Sequence, residues 1–228
     1  MPLDIKRLTF PLPFRLGHVN CYLIRSTAGY ALVDTGARNA RRQVAQALER
    51  AGCTPSSLKI ILLTHGDFDH IGNAAFLRSA FRAPLAMHPG DSGMAERGDM
   101  FVNRKSPGWA IRTLLPLFTG FGPGERFTPD ILLTDGQDLS AIGLEASVLS
   151  LPGHSRGSIG ILAAGGNLFC GDLLENTTEP KLNSLMDDSD AANDSIGRLR
   201  PLSVTTVYPG HGEPFPFARL PQVPTQAS

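Results

Sequence analysis

Thr64-His65-Gly66-Asp67-Phe68-Asp69-His70 constrains this chain more than any other stretch. It sets four ligand-type side chains, His65, Asp67, Asp69 and His70, within six residues, directly after the apolar run Lys59–Leu63. Carboxylates and imidazoles crowded at the end of a buried strand repel one another or lose hydration. A bound cation removes that cost, because it gives each lone pair a partner. Three more polar clusters follow: Pro152-Gly153-His154, Cys170-Gly171-Asp172 and Pro209-Gly210-His211-Gly212. Each closes an apolar run, Ala146–Leu151, Asn167–Cys170 or Val204–Tyr208. One arrangement thus recurs four times along the chain: a strand, a sharp turn and a ligand-type side chain. Rigid strands feeding short turns are how a scaffold brings distant residues to one place.

The 228 residues suit one layered α/β domain, read as residues 1–217 with an excursion at about 88–130 and a loose tail at 218–228. Lys+Arg and Asp+Glu both number 21, so there is no basic field of the kind a nucleic-acid partner needs. No apolar run of about 18 residues predicts a membrane span, and Met1–Gly17 lacks the apolar core of a signal peptide. Cys21, Cys53 and Cys170 are odd in number and widely spaced, which fits reduced thiols and a cytoplasmic setting. The expected partner is a small-molecule substrate, with a homodimer left open.

Val19–Arg25 and Tyr30–Val33 read as a hairpin around Thr27-Ala28-Gly29. Arg38–Ala51 carries a helical apolar stripe that Gly52 stops, and Asn73–Phe81 reads as a second helix. Strands are expected at Lys59–Leu63, Pro84–Met87, Asp138–Ile142, Ala146–Leu151, Ser158–Ala163, Asn167–Cys170 and Val204–Tyr208. A late helix is expected at Asp190–Leu199, capped by Asp188 or Ser189. The Gly- and Pro-rich stretch His88–Asp130 holds Met100, Phe101, Trp109 and Phe118 and reads as a cap over a pocket, with a helix within Ser106–Phe118. This order fits a four-layer αββα sandwich of the α/β (α+β) class, which periodicity alone does not select.

Taken in order, Leu32-Val33-Asp34-Thr35-Gly36, Thr64–His70, Pro152-Gly153-His154-Ser155, Gly171-Asp172 and Pro209-Gly210-His211-Gly212 resemble the metallo-β-lactamase fold superfamily. The likeness is greatest to its small members similar to glyoxalase II and the lactonases, and it spans Val19 to Gly212. It implies two divalent metal ions, zinc foremost. The first would take His65, the residue at 67 and His154, and the second Asp69, His70 and His211, with Asp172 bridging. The family places histidine where this chain has Asp67. A carboxylate is a harder ligand than imidazole, so iron or manganese also enter, as in the flavodiiron proteins, which carry glutamate there. The implied reaction is hydrolysis of a small ester, thioester or lactone by a hydroxide held between the metals, with Asp69 as the catalytic proton carrier.

Other residues take lesser roles. Asp34 is expected behind the ligands, receiving the free N–H of a ligating histidine, or else bonding its own turn. His18, His88, Trp109 and Phe118 are candidates for the substrate pocket, and Arg104, Lys105 and Lys181 for anion contacts. Two other readings stand beside hydrolysis. A persulfide dioxygenase of this fold would use one iron on His65, His154 and Asp172, and a non-catalytic module would keep the fold alone.

Overall fold

Aliphatic runs buried on both faces build the central strands of two main sheets, and the computed structural model describes the chain over residues 3–104, 114, 119 and 122–221. The strands are β1 (Ile5–Pro11), β2 (His18–Ser26), β3 (Gly29–Val33), β4 (Leu58–Leu62), β5 (Leu85–Met87), β6 (Ile131–Leu132), β7 (Ala146–Ser150), β8 (Ile159–Ala163), β9 (Asn167–Gly171), β10 (Leu174–Glu175), β11 (Lys181–Leu182), β12 (Thr206–Pro209) and β13 (Phe215–Pro216). The helices are α1 (Arg41–Arg50), α2 (Phe68–Ile71), α3 (Ala74–Phe81), α4 (Pro89–Arg97) and α5 (Ser189–Leu199). One sheet runs β1-β2-β3-β4-β5-β6, the other β13-β12-β9-β8-β7, and β10 pairs with β11.

Tyr22, Ile24, Ala31, Val33, Ile60 and Leu62 leave the first sheet on one face and meet Val148, Ile159, Ile161 and Phe169 of the second. Their neighbours Cys21, Leu23, Leu32 and Ile61 leave on the other face and pack under α1 and α3 through Val44, Leu48, Leu77 and Phe81. On the far side, Leu168, Cys170 and Val207 lie under Ala192, Ile196 and Leu199 of α5. The layers are therefore helix, sheet, sheet, helix. Among the described residues no helix is long and apolar enough to cross a membrane.

Parallel pairing places the functional strand ends side by side. β3 pairs parallel with β4, and β9 with β12, where the register shifts at Tyr208/Pro209. The Ile159 N–H donates to the Thr64 carbonyl at 2.9 Å, joining the second sheet to the end of β4. The Gly210 N–H donates to the Gly171 carbonyl at 2.8 Å, which sets the end of β12 against that of β9.

Several elements differ from expectation. Asp138–Ile142 is not a strand. The Asp138 carboxylate accepts from the Ser140 N–H at 2.9 Å and its hydroxyl at 2.5 Å, and these bonds favour a single helical turn at Ser140–Ile142. Ile5–Pro11 is a strand although it carries charges and a proline, because an edge strand tolerates both. Gly29 begins β3 rather than ending the turn, and a short tight turn at Arg38–Ala40 precedes α1. The excursion after β5 opens with α4, whose Met94 and Ala95 are buried. The expected helix within Ser106–Phe118 lies, but for Leu114, outside the described residues, as do Trp109 and Phe118.

Candidate metal centre

Two groups of ligand-type side chains meet where the sheets end. His65, His154 and Asp172 form one, and Asp69, His70 and His211 the other, each with its nitrogen and oxygen atoms within 4.8 Å of one another. Asp172, a member of the first group, also meets the second: Oδ1 lies 3.2 Å from His70 Nε2 and Oδ2 lies 3.2 Å from His211 Nε2. Asp67 adjoins the first group, with Oδ2 2.9 Å from His154 Nε2 and 3.7 Å from His65 Nε2. His211 Nε2 and Asp69 Oδ2 are 3.5 Å apart.

All four imidazoles are held at Nδ1 by a partner outside the centre. His70 Nδ1 is 2.8 Å from Asp34 Oδ2, His154 Nδ1 is 2.5 Å from the Leu185 carbonyl, and His211 Nδ1 is 2.7 Å from the His18 carbonyl. The Thr64 hydroxyl donates to Asp34 Oδ2 at 2.8 Å, so its oxygen accepts from His65 Nδ1 at 3.0 Å. Each Nδ1 thus carries its hydrogen outward, and Nε2 is the ring atom left to face the centre. His65 Nε2, His70 Nε2 and Asp172 Oδ1 are buried with no hydrogen-bond partner among the described residues. Imidazole nitrogens and carboxylate oxygens aimed inward in this way fit first-row divalent cations.

Electrostatics point the same way. The rings run His154, His65, His70, His211 at centroid spacings of 4.6, 4.1 and 5.5 Å, too close for all four to hold a charge. Burial holds His65 well below the usual imidazole range, and the charges of His70 and His154 add to it. Burial would lower His70 too, but Asp172, Asp34 and Asp69 push it well above. Against the same burial, Asp67 raises His154, and Asp172 raises His211 to about 9. A cation must therefore displace protons from His70, His154 and His211. Metal affinity is expected to climb as pH rises from neutral to about 9, where His211 gives up its proton, with proton release at neutral pH. Calorimetric titration in buffers of different ionisation enthalpy measures this, and an affinity flat across that range would contradict it.

Residues around the centre hold it in place. Asp34 sits at φ +59, a left-handed conformation that a non-glycine residue keeps only under constraint, and Thr64 N–H donates to its Oδ1 at 2.8 Å. Thr35 donates from N–H and hydroxyl to the His70 carbonyl, both at 2.7 Å. A methyl group on Gly210 would overlap the Asp172 carboxylate and the His70 ring, so only glycine fits there. Asp91, fully buried, was not anticipated. It accepts from Gly66 N–H at 3.0 Å, the Ser155 hydroxyl at 2.6 Å and Gly157 N–H at 2.8 Å, tying the loop of His65 to that of His154.

Other expected site residues are elsewhere. His18 is exposed, and its carbonyl rather than its ring meets the centre. His88 caps α4, its Nδ1 accepting from Gly90 N–H at 3.0 Å. Lys181 pairs with Glu175 at 3.3 Å, and Lys105 is outside the described residues. Arg104 holds Asp67 itself. Tyr208 stacks on Phe169, and the Cys170 thiol is core, pushed up by burial to about 12. A cavity of about 290 Å³ opens beside Asp67 and His154, with Met100, Phe101, Leu185 and Met186 among its walls.

The sequence model described as "Metallo-beta-lactamase superfamily" matches residues 14–211. Hydroxyacylglutathione hydrolase GloC of Haemophilus influenzae is 31% identical over 165 residues, 72% of this chain and 70% of that protein. A probable metallo-hydrolase of Bacillus subtilis, YqjP, is 27% identical, covering 92% of this chain and 72% of its own. Among solved structures, TTHA1623 in a di-iron-bound form aligns with a TM-score of 0.69 at 28% identity, over 92% of this chain and 95% of that one. The BLEG-1 B3 metallo-beta-lactamase aligns at 0.72 and 26% identity, over 95% of each.

Proposed function

The chain belongs to the metallo-β-lactamase superfamily, and from that premise we propose that it is a metal-dependent hydrolase of a small ester, thioester or lactone. The observation that carries the proposal is the place of Asp172. It is one member of the His65/His154 group, and its two oxygens also face His70 and His211, which is where a carboxylate shared by two cations must stand. Two divalent ions held there would supply a nucleophile from water at neutral pH and would polarise the oxygen of the scissile group.

The chain's own residues supply the remainder. Asp34, Thr64, Leu185 and His18 fix the four rings. Burial raises the Asp69 carboxyl, and the charges of Asp172 and Asp67 add to this against the pull of His70 and His211. Asp69, whose Oδ2 lies 3.5 Å from His211 Nε2 at the centre, would take a proton and return it to the leaving atom. The apolar wall of Met100, Phe101, Leu185 and Met186 suits an acyl chain or an apolar leaving group. The similarity to GloC favours a thioester within this class.

Protein purified without added metal is expected to carry about two divalent ions per chain and to cleave members of a thioester, aryl ester and lactone panel. Chelation should abolish turnover, with zinc, iron or manganese restoring it. Hydrolysis that survives full chelation would refute the reading. The His65/His154/Asp172 set is also a two-histidine, one-carboxylate site of the type that binds a single iron, which favours a second reading as a persulfide dioxygenase. About one iron per chain, with oxygen uptake on glutathione persulfide and no ester cleavage, would select it.

A further inference from the structure

Arg104 lies beside the centre with a side chain only 7% exposed, and each of its nitrogens is engaged. Nη1 donates to Asp67 Oδ1. Nη2 donates to the His154 carbonyl at 2.6 Å, and Nε to Asp187 Oδ2 at 2.6 Å. These partners are 37, 50 and 83 residues away in sequence, so the contacts belong to the tertiary fold and not to a local turn. Asp67 is thereby divided. Oδ1 is bound by the guanidinium, while Oδ2 alone faces the imidazoles of His154 and His65.

Resting on the dinuclear metal reading above, we infer that Arg104 is the positioning residue that lets Asp67 serve where an imidazole otherwise would. A carboxylate differs from imidazole in two ways: it is charged, and it has two donor atoms with which it can chelate. A guanidinium on Oδ1 removes both differences. It offsets the charge, and it restricts Asp67 to one oxygen toward the first ion. The same fork grips the backbone of His154, so one group sets two ligands relative to each other. The dependence is mutual. A buried guanidinium stripped of its inner carboxylate is costly, and Asp187, 36% exposed on its side chain, only partly replaces it.

The test is the affinity of the first cobalt(II) ion, measured by chelator competition, together with the visible cobalt band, whose intensity falls as coordination number rises. Four proteins are compared: wild type, Arg104→Gln, Asp67→His and the double variant. Arg104→Gln alone is expected to weaken the first ion by about 10–100-fold and to dim the band as Asp67 becomes bidentate. Asp67→His alone should also weaken it, because a cation then faces Arg104 without a carboxylate between them. In the Asp67→His background, Arg104→Gln should strengthen binding, reversing its sign.

A loss of similar size in both backgrounds marks a merely structural arginine and overturns the proposal, as does a change under about twofold in both. Should Arg104→Gln not fold, Arg104→Lys keeps the charge without the fork. Wild-type affinity and spectrum in that variant would overturn the role of the fork, and a weaker first ion would support it. Wild type that takes up no cobalt overturns this inference and the dinuclear reading together, whereas normal loading that ignores Arg104 overturns this inference alone.

Discussion

Asp172→Asn is expected to bind at most one divalent ion per chain and to lose hydrolysis by roughly three orders of magnitude. Two unit charges about 4 Å apart repel by about 4 kcal/mol at the effective dielectric of a protein site, and two doubly charged ions by on the order of 16 kcal/mol. The four imidazoles in their ligating form carry no charge to oppose this, and Asp67 and Asp69 each adjoin one group. Asp172 meets both groups, and it is 6% exposed, with both oxygens turned to the centre. Asparagine keeps the shape and one carbonyl oxygen but not the charge, so the loss reports electrostatics and not packing. Gly210 leaves no space for a substitute carboxylate from β12. Elemental analysis of folded variant protein and turnover on the best substrate decide the matter. Two ions per chain with turnover within about tenfold of wild type would refute a bridging role.

The sequence motifs at the strand ends could be read because their signal is short in range. His65, Asp67, Asp69 and His70 stand within six residues at the end of one apolar run, and His154, Asp172 and His211 each follow a run and a glycine turn. Parallel pairing of β3 with β4 and of β9 with β12 then brings those ends to one side. The parts that hold the rings were hidden for a physical reason. Leu185 and His18 act through backbone carbonyls, which every residue has, so residue type carries no signal. Asp91 reads as an ordinary acid in the first turn of a helix, and its partners are 25, 64 and 66 residues away. Residue type misled at Asp138, whose carboxylate bonds its own turn. Arg104 is a candidate anion contact from its charge alone, but only the fold shows that its anions are Asp67 and Asp187 and not a ligand from solution.

Asp34→Ala and Asp34→Asn are expected to separate the stability of the centre from its ability to bind metal. Asp34 is 2% exposed and accepts three bonds of 2.8 Å, from Thr64 N–H, the Thr64 hydroxyl and His70 Nδ1. Alanine leaves those buried donors without an acceptor, at about 1–3 kcal/mol each. It must also adopt φ +59, which costs about a further 1–2 kcal/mol in an L-residue lacking a polar side chain. The loss of folding stability should be about 3–5 kcal/mol once relaxation is allowed for, seen as a large fall in the urea midpoint of the metal-free protein. Asparagine tolerates the left-handed backbone and can still accept from Thr64, so most of that stability returns. At His70 it fails, because it offers either a neutral oxygen or a competing N–H and no longer compels the tautomer that leaves Nε2 free. Asp34→Asn should therefore unfold near the wild-type midpoint yet bind the ion at Asp69, His70 and His211 about 10–100-fold more weakly. If it holds that ion as wild type does, the orientation of His70 comes from Thr35 and the turn around it, and the carboxylate of Asp34 serves the fold alone.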